Sequence, residues 1–185
     1  MAFTETYLNY DLASGANDGT SEADAWQTWG DAISGAAAGD RINVKRTSSR
    51  VSSGDVQWTV SGTAVAPIHI RAYETTIGDG GMFEQNNRFR CSGENVLIEG
   101  IDILSATTLL LWITGDMCCA YRCRAEITGA GNAIARAQDA SFINCYVKGV
   151  DIAASYLVQG QRASFIGCYF ELASSDIDAG GSILE

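Results

Sequence analysis

Only one histidine, His69, stands in this chain of 185 residues. A three-histidine metal site therefore cannot be assembled from one copy, and the chemistry left to that imidazole is that of a lone base. In Pro67-Ile68-His69-Ile70-Arg71, strand alternation turns His69 away from Ile68 and Ile70, toward the surface. Asp176 and Asp178 lie two apart, the spacing that puts two carboxylates on one strand face for a cation or an acid–base pair. Their setting, Ser174-Ser175-Asp176-Ile177-Asp178-Ala179-Gly180-Gly181, reads as a turn instead. Cys118, Cys119 and Cys123 cluster, but with neither a C-x-x-C pair nor partner histidines they give no zinc site. No nucleophile elbow, phosphate-cradling loop or dinucleotide fingerprint occurs. The residues thus name no catalytic group, no metal site and no cofactor. What they offer is a surface: Tyr121, Tyr146 and Tyr169 recur near one corner of a repeat, where rings can stack on sugars or on a partner subunit.

That repeat dictates the architecture. The segments ending in Gly100, Cys123, Cys145 and Cys168 each carry a bulky residue two places earlier, at offsets of 23, 22 and 23. A second apolar row, Phe89, Leu111, Ile134 and Leu157, runs at 22, 23 and 23, with Ile183 a looser fifth member. Short apolar runs on one fixed period, separated by Gly, Asn, Asp and Ser, are the signature of a solenoid of strands and turns. The fold class expected is all-β, a right-handed parallel β-helix. Cys123, Cys145 and Cys168 would then stack as a ladder of small core residues. Glu126, Lys148 and Glu171 would stack as an alternating-charge ladder, and Glu99, Arg122, Asn144 and Gly167 would share another row.

A solenoid exposes its core at its ends, so a cap is needed. The run from Glu22 to Ala38 reads as a helix, opened by the Ser21/Asp24 pair and stopped by Gly39. Trp26, Trp29 and Ile33 form its apolar stripe and nominate it as the cap. The expected organisation is residues 1–40 as strand and capping helix and 41–185 as β-helix, one continuous body.

The formal charge of −10 disfavours nucleic acid, whose binding is driven by Lys and Arg. There is no apolar stretch long enough to span a membrane and no basic, apolar leader in Met1-Ala2-Phe3-Thr4-Glu5, so folding in the cytosol is expected.

The order Tyr7-Leu8-Asn9, Asn17-Asp18-Gly19-Thr20, Trp26, Ala38-Gly39-Asp40-Arg41-Ile42-Asn43-Val44 and Ala66-Pro67-Ile68-His69-Ile70-Arg71-Ala72-Tyr73 resembles the N-terminal opening of the pectate-lyase-like superfamily of parallel β-helix proteins. Many members are phage proteins. The resemblance implies a virion structural protein, assembled in the host cytoplasm. Its expected role is a capsid decoration or cement protein that self-associates as a homotrimer and binds the major capsid protein. The alternative it implies is a tail spike or fibre domain that binds or cleaves bacterial surface polysaccharide, as a lyase or a hydrolase. Its catalytic members combine clustered acidic residues with a Lys or Arg base, a set these repeats do not gather on one level.

Overall fold

The computed structural model describes residues 2–52, 54–105, 111–128, 135–150, 156–173 and 182–184. Among them are three sheets, of seven, five and six strands; from Ile68–Tyr73 onward the chain visits them in rotation, and all pairings between strands are parallel. One circuit runs Val96–Glu99 in the first sheet, Ile101–Ser105 in the second and Leu111–Ile113 in the third. It then returns to the first at Cys118–Tyr121. That rotation makes a parallel β-helix. The segment Thr4–Leu8 is a strand of the first sheet, paired in parallel with Asp40–Lys45.

The coil's interior is set by parity, because alternate residues of a strand face opposite ways. In the first sheet Ile42, Ile70, Ile98, Ala120, Phe142 and Phe165 fall on one line. The first five are buried. The pairing of Ile98 with Ala120 corrects the expected alignment of Ile98 with Tyr121. Tyr121 pairs with Glu99 and Ile143 on the outer side. The cause lies at the corner between the first two sheets, where one left-handed residue turns the chain in each of four successive coils: Gly100 (φ 76°), Arg122 (52°), Asn144 (52°) and Gly167 (63°). A side chain at Gly100 would stand 2.8 Å from the Gly81 carbonyl, so glycine is required there. Arg122 is therefore in line with Gly100 and not with Glu99, although its guanidinium still reaches Glu99 at 3.6 Å.

The third-sheet row is corrected in the same way. Phe89 pairs with Leu111, Leu111 with Ala135, Ala135 with Val158 and Val158 with Leu184. The row thus passes through Ala135 and Val158 where Ile134 and Leu157 were expected, and Ile134 lies outside the described residues. Arg136 stands in line with Arg90 and Trp112 on the outer side, and that forces its neighbours Ala135 and Ala137 inward. A one-residue slip would bury the guanidinium.

The α-helix is shorter than the sequence suggests, Trp29–Gly35, and its N-cap is Thr28, whose hydroxyl accepts from Asp31 N. Residues before it are committed elsewhere. Ser21 and Asp24 bond each other in a turn, and Trp26 bridges Leu8 as an extended residue. Trp26 is buried and Ile33 packs partly buried on the core. Trp29 meets Trp58, Phe83 and Phe89 edge-on at centroid distances of 6.3, 5.7 and 5.4 Å. Its indole N–H donates to Gln85 Oε1 at 3.2 Å. Edge-to-face ring pairs contribute about 0.5–1.5 kcal/mol each beyond burial. Trp29 therefore binds the helix to the first turns of the second and third sheets.

Cys123, Cys145 and Cys168 stack at the start of the second sheet, in line with Ile101. Each thiol also lies against a carbonyl one coil back: Cys123 on Ile98, Cys145 on Ala120 and Cys168 on Phe142, at 3.6, 3.4 and 3.3 Å. The hydrogen bond with Cys123 and then burial push the Cys145 thiol well above its ordinary range. Cys145→Ser is expected to lower unfolding free energy by about 1–3 kcal/mol in urea denaturation, because a more polar group enters a dry stack.

Candidate ligand-binding face

The outer side of the third sheet carries a row in register: Gln57, Arg90, Trp112, Arg136 and Gln159. Gln57, Arg90, Trp112 and Arg136 face outward because Val56, Phe89, Leu111 and Ala135 beside them are buried. Beside this row runs a polar one, in which Thr114 bonds back to the Cys91 carbonyl and Gln138 pairs with Gln161. Neither row contains a carboxylate.

Trp112 lies between two guanidiniums. Arg90 Cζ sits 4.2 Å from its ring centroid and Arg136 Cζ 5.3 Å. Cation–π contacts of this kind are worth about 0.5–1 kcal/mol at partly exposed sites. The indole thus holds two cations two strand spacings apart, roughly 10 Å. The indole N–H of Trp112 and the Nε of Arg90 are themselves buried and make no hydrogen bond.

The charge balance around these two arginines sets them apart. Every other arginine has a carboxylate within 4.0 Å: Arg41 and Arg71 reach Glu5, Arg46 and Arg50 reach Glu84, Arg88 reaches Asp55, Arg122 reaches Glu99, Arg124 reaches Glu126 and Arg162 reaches Asp139. In a chain with 22 acidic and 12 basic residues, carboxylate partners are plentiful. Among the described residues Arg90 and Arg136 have none, and they stand in one row that holds no carboxylate.

The residues nominated from sequence go to other places. Tyr146 and Tyr169 stack on the second sheet with ring centroids 5.5 Å apart and planes within 8°. Tyr121 does not join them, since it lies on the outer side of the first sheet. Glu126, Lys148 and Glu171 pair in one row. Glu171 accepts from the Tyr146 hydroxyl at 2.6 Å and meets Lys148 at 3.3 Å. Those two contacts hold the Glu171 carboxyl below its ordinary value, and the same hydrogen bond raises Tyr146 to about 12. Asp176 and Asp178 lie outside the described residues.

His69 is not free. Its Nε2 contacts Glu99 Oε2 at 3.0 Å on the first sheet, and Phe3 covers the ring from 6.0 Å. No three His, Cys, Asp or Glu side chains converge in a way that could hold a metal ion among the described residues, and none of the described helices is long and apolar enough to cross a membrane. Sequence reading missed Arg90, Trp112 and Arg136, although they follow Phe89, Leu111 and Ala135 by one residue and so carry the same period.

By sequence, the chain matches no family model and no curated protein. Its structure matches two solved proteins. Pectate lyase Pel9A superposes with a TM-score of 0.62 at 13% identity, over 91% of this chain and 48% of that one. A rhamnogalacturonan lyase superposes with a TM-score of 0.53 at 12% identity, over 98% and 60%. The fold is the pectate-lyase-like parallel β-helix. This chain spans about half the length of Pel9A, and the likeness is one of fold.

The His69–Glu99 pair has a pH signature. Its hydrogen bond with His69 depresses the Glu99 pKa below the ordinary 4.5, ahead of the opposing effect of burial. A depressed carboxylate contributes stability that is full above the unfolded value and is lost as pH falls through the folded one. The advantage of the native chain over Glu99→Gln is therefore expected in full above pH 4.5 and gone in stronger acid, read as urea midpoints across that range.

Proposed function

We propose that this protein binds an acidic polysaccharide along the outer face of its third sheet, the glycan-binding role that the spike or fibre expectation describes. One observation carries the reading: the two arginines without a carboxylate partner stand together on that face, held apart by Trp112. Leaving a guanidinium unpaired in an acidic protein forgoes an available ion pair, and a ligand carboxylate supplies the bidentate partner each lacks. The flanking hydroxyl and amide row matches the hydroxyls of a sugar chain. Both structural neighbours are lyases named for uronate-containing polymers, which agrees with this choice of ligand. Nucleic acid is a poorer fit, because two cations neutralise too few phosphates against a net charge of −10.

Oligogalacturonate binding followed by isothermal calorimetry tests the reading. Saturable, salt-sensitive binding is expected, and Arg90→Gln with Arg136→Gln should weaken it by 10-fold or more, about 1.4 kcal/mol. Binding that survives the double substitution contradicts the reading. Monitoring the same mixtures for unsaturated products separates binding from cleavage.

A second reading, the self-associating particle protein, is favoured by the outer side of the first sheet. Leu97, Cys119, Tyr121 and Ile143 form an uncharged strip there that continues to Ile166, which is 57% exposed. Beside it Met117, 77% exposed, lines a cavity of about 200 Å³ together with Leu97 and Cys119. A half-exposed apolar strip of this kind favours subunit contacts. An oligomer, by sedimentation at micromolar concentration, is expected under this reading, and Ile143→Lys with Ile166→Lys should shift it to monomer. Placement on a capsid is tested by copy number in purified particles.

A further inference from the structure

Two thiols meet inside the corner between the third and first sheets. Cys91 ends a strand of the third sheet and Cys118 opens a strand of the first sheet one coil later, and both are buried. Their sulfurs share one acceptor, the Gly93 carbonyl, at 3.6 Å from Cys91 and 3.0 Å from Cys118. A glycine makes the room for this. A side chain at Gly115 would stand 1.8 Å from that same oxygen and 3.1 Å from the Cys118 sulfur.

This pair differs from the cysteine stack of the second sheet. Cys123, Cys145 and Cys168 hold one position in successive coils, so their Cα–Cβ bonds run parallel, which disfavours a disulfide. Cys91 and Cys118 point inward from two different sheets and converge on one carbonyl.

The two sulfurs are also unequal. The hydrogen bond between them lowers the Cys118 pKa and raises that of Cys91, and burial adds to the rise at Cys91. Cys118 is the better nucleophile of the two. Its neighbour Met117 is 77% exposed, so solvent reaches the outer side of this corner.

We propose that Cys91 and Cys118 form a redox lock, which hydrogen peroxide closes into a disulfide that ties one coil to the next. The Cys118 sulfur attacks the peroxide and keeps one oxygen as a sulfenic acid, while the other leaves as hydroxide and takes the Cys118 proton. The Cys91 sulfur then attacks Cys118 and expels a second hydroxide, which takes the Cys91 proton. Two thiols and one peroxide thus give one disulfide and two waters. The bond closes a chain loop of about one coil and so restricts the unfolded chain. This lock does not depend on what either outer face binds.

The test treats the full chain with hydrogen peroxide and maps its unreduced peptides by mass spectrometry. A cross-linked pair of peptides joining Cys91 to Cys118 is expected, reversed by dithiothreitol, together with a higher urea midpoint for the oxidised chain. Cys91→Ala should leave Cys118 as a sulfenic acid that dimedone traps. Met117 serves as internal control, because its sulfoxide shows that peroxide has reached this corner. Met117 sulfoxide with both thiols still free overturns the proposal. So does a disulfide that joins other cysteines, or one that leaves the urea midpoint where it was.

Discussion

Parallel strands stacked about 4.8 Å apart in register turn a sequence period into straight lines of side chains, and every other feature of this protein is written on those lines. Inside, the lines must be apolar, because each coil's interior is the next coil's floor: Ile42, Ile70, Ile98, Ala120, Phe142 and Phe165 form one such column. Size along a column varies, and Ala120 lies between the larger Ile98 and Phe142. Outside, the lines are free to differ, and the three faces do. One is apolar toward its later strands, one is rich in ion pairs and carries the Tyr146/Tyr169 stack, and one holds two guanidiniums that have no carboxylate partner among the described residues.

That division follows from electrostatics as much as from shape. With an acidic excess, almost every guanidinium has an available carboxylate, and eight of the arginines have one. Exposed ion pairs of this type contribute little to stability singly, so their distribution speaks of surface chemistry more than of folding. Where the pattern breaks, at Arg90 and Arg136, an aromatic ring takes the place of the anion. The indole quadrupole tolerates both cations without neutralising them, and their charge stays on offer to a ligand.

The period, the parallel sheets, the Glu126/Lys148/Glu171 ladder and the cysteine stack were legible in the sequence, since each repeats a residue type at one interval. The register was legible only to within one residue. Bulky Tyr121 and Ile134 drew the apolar rows toward themselves, while parity gave the interior to Ala120 and Ala135. In a strand an alanine fills an inward position adequately when its neighbour is an arginine that cannot be buried. The Arg90, Trp112 and Arg136 row was hidden for a related reason: its three residues belong to two chemical types, and only the register shows that they form one line. The long helix read from residues 22–38 failed because Trp26 is tied to Leu8 and Asp24 to Ser21, tertiary and turn contacts that local helix preference does not weigh.

Amide hydrogen exchange with and without a saturating acidic oligosaccharide examines the central claim most directly, since it reads all three faces at once. The account predicts slowed exchange concentrated in Phe89–Cys91, Leu111–Ile113 and Ala135–Gln138, the strands that carry the two free arginines and their tryptophan. Protection confined to the first or second sheet, or none at a concentration where binding is saturated, would contradict it.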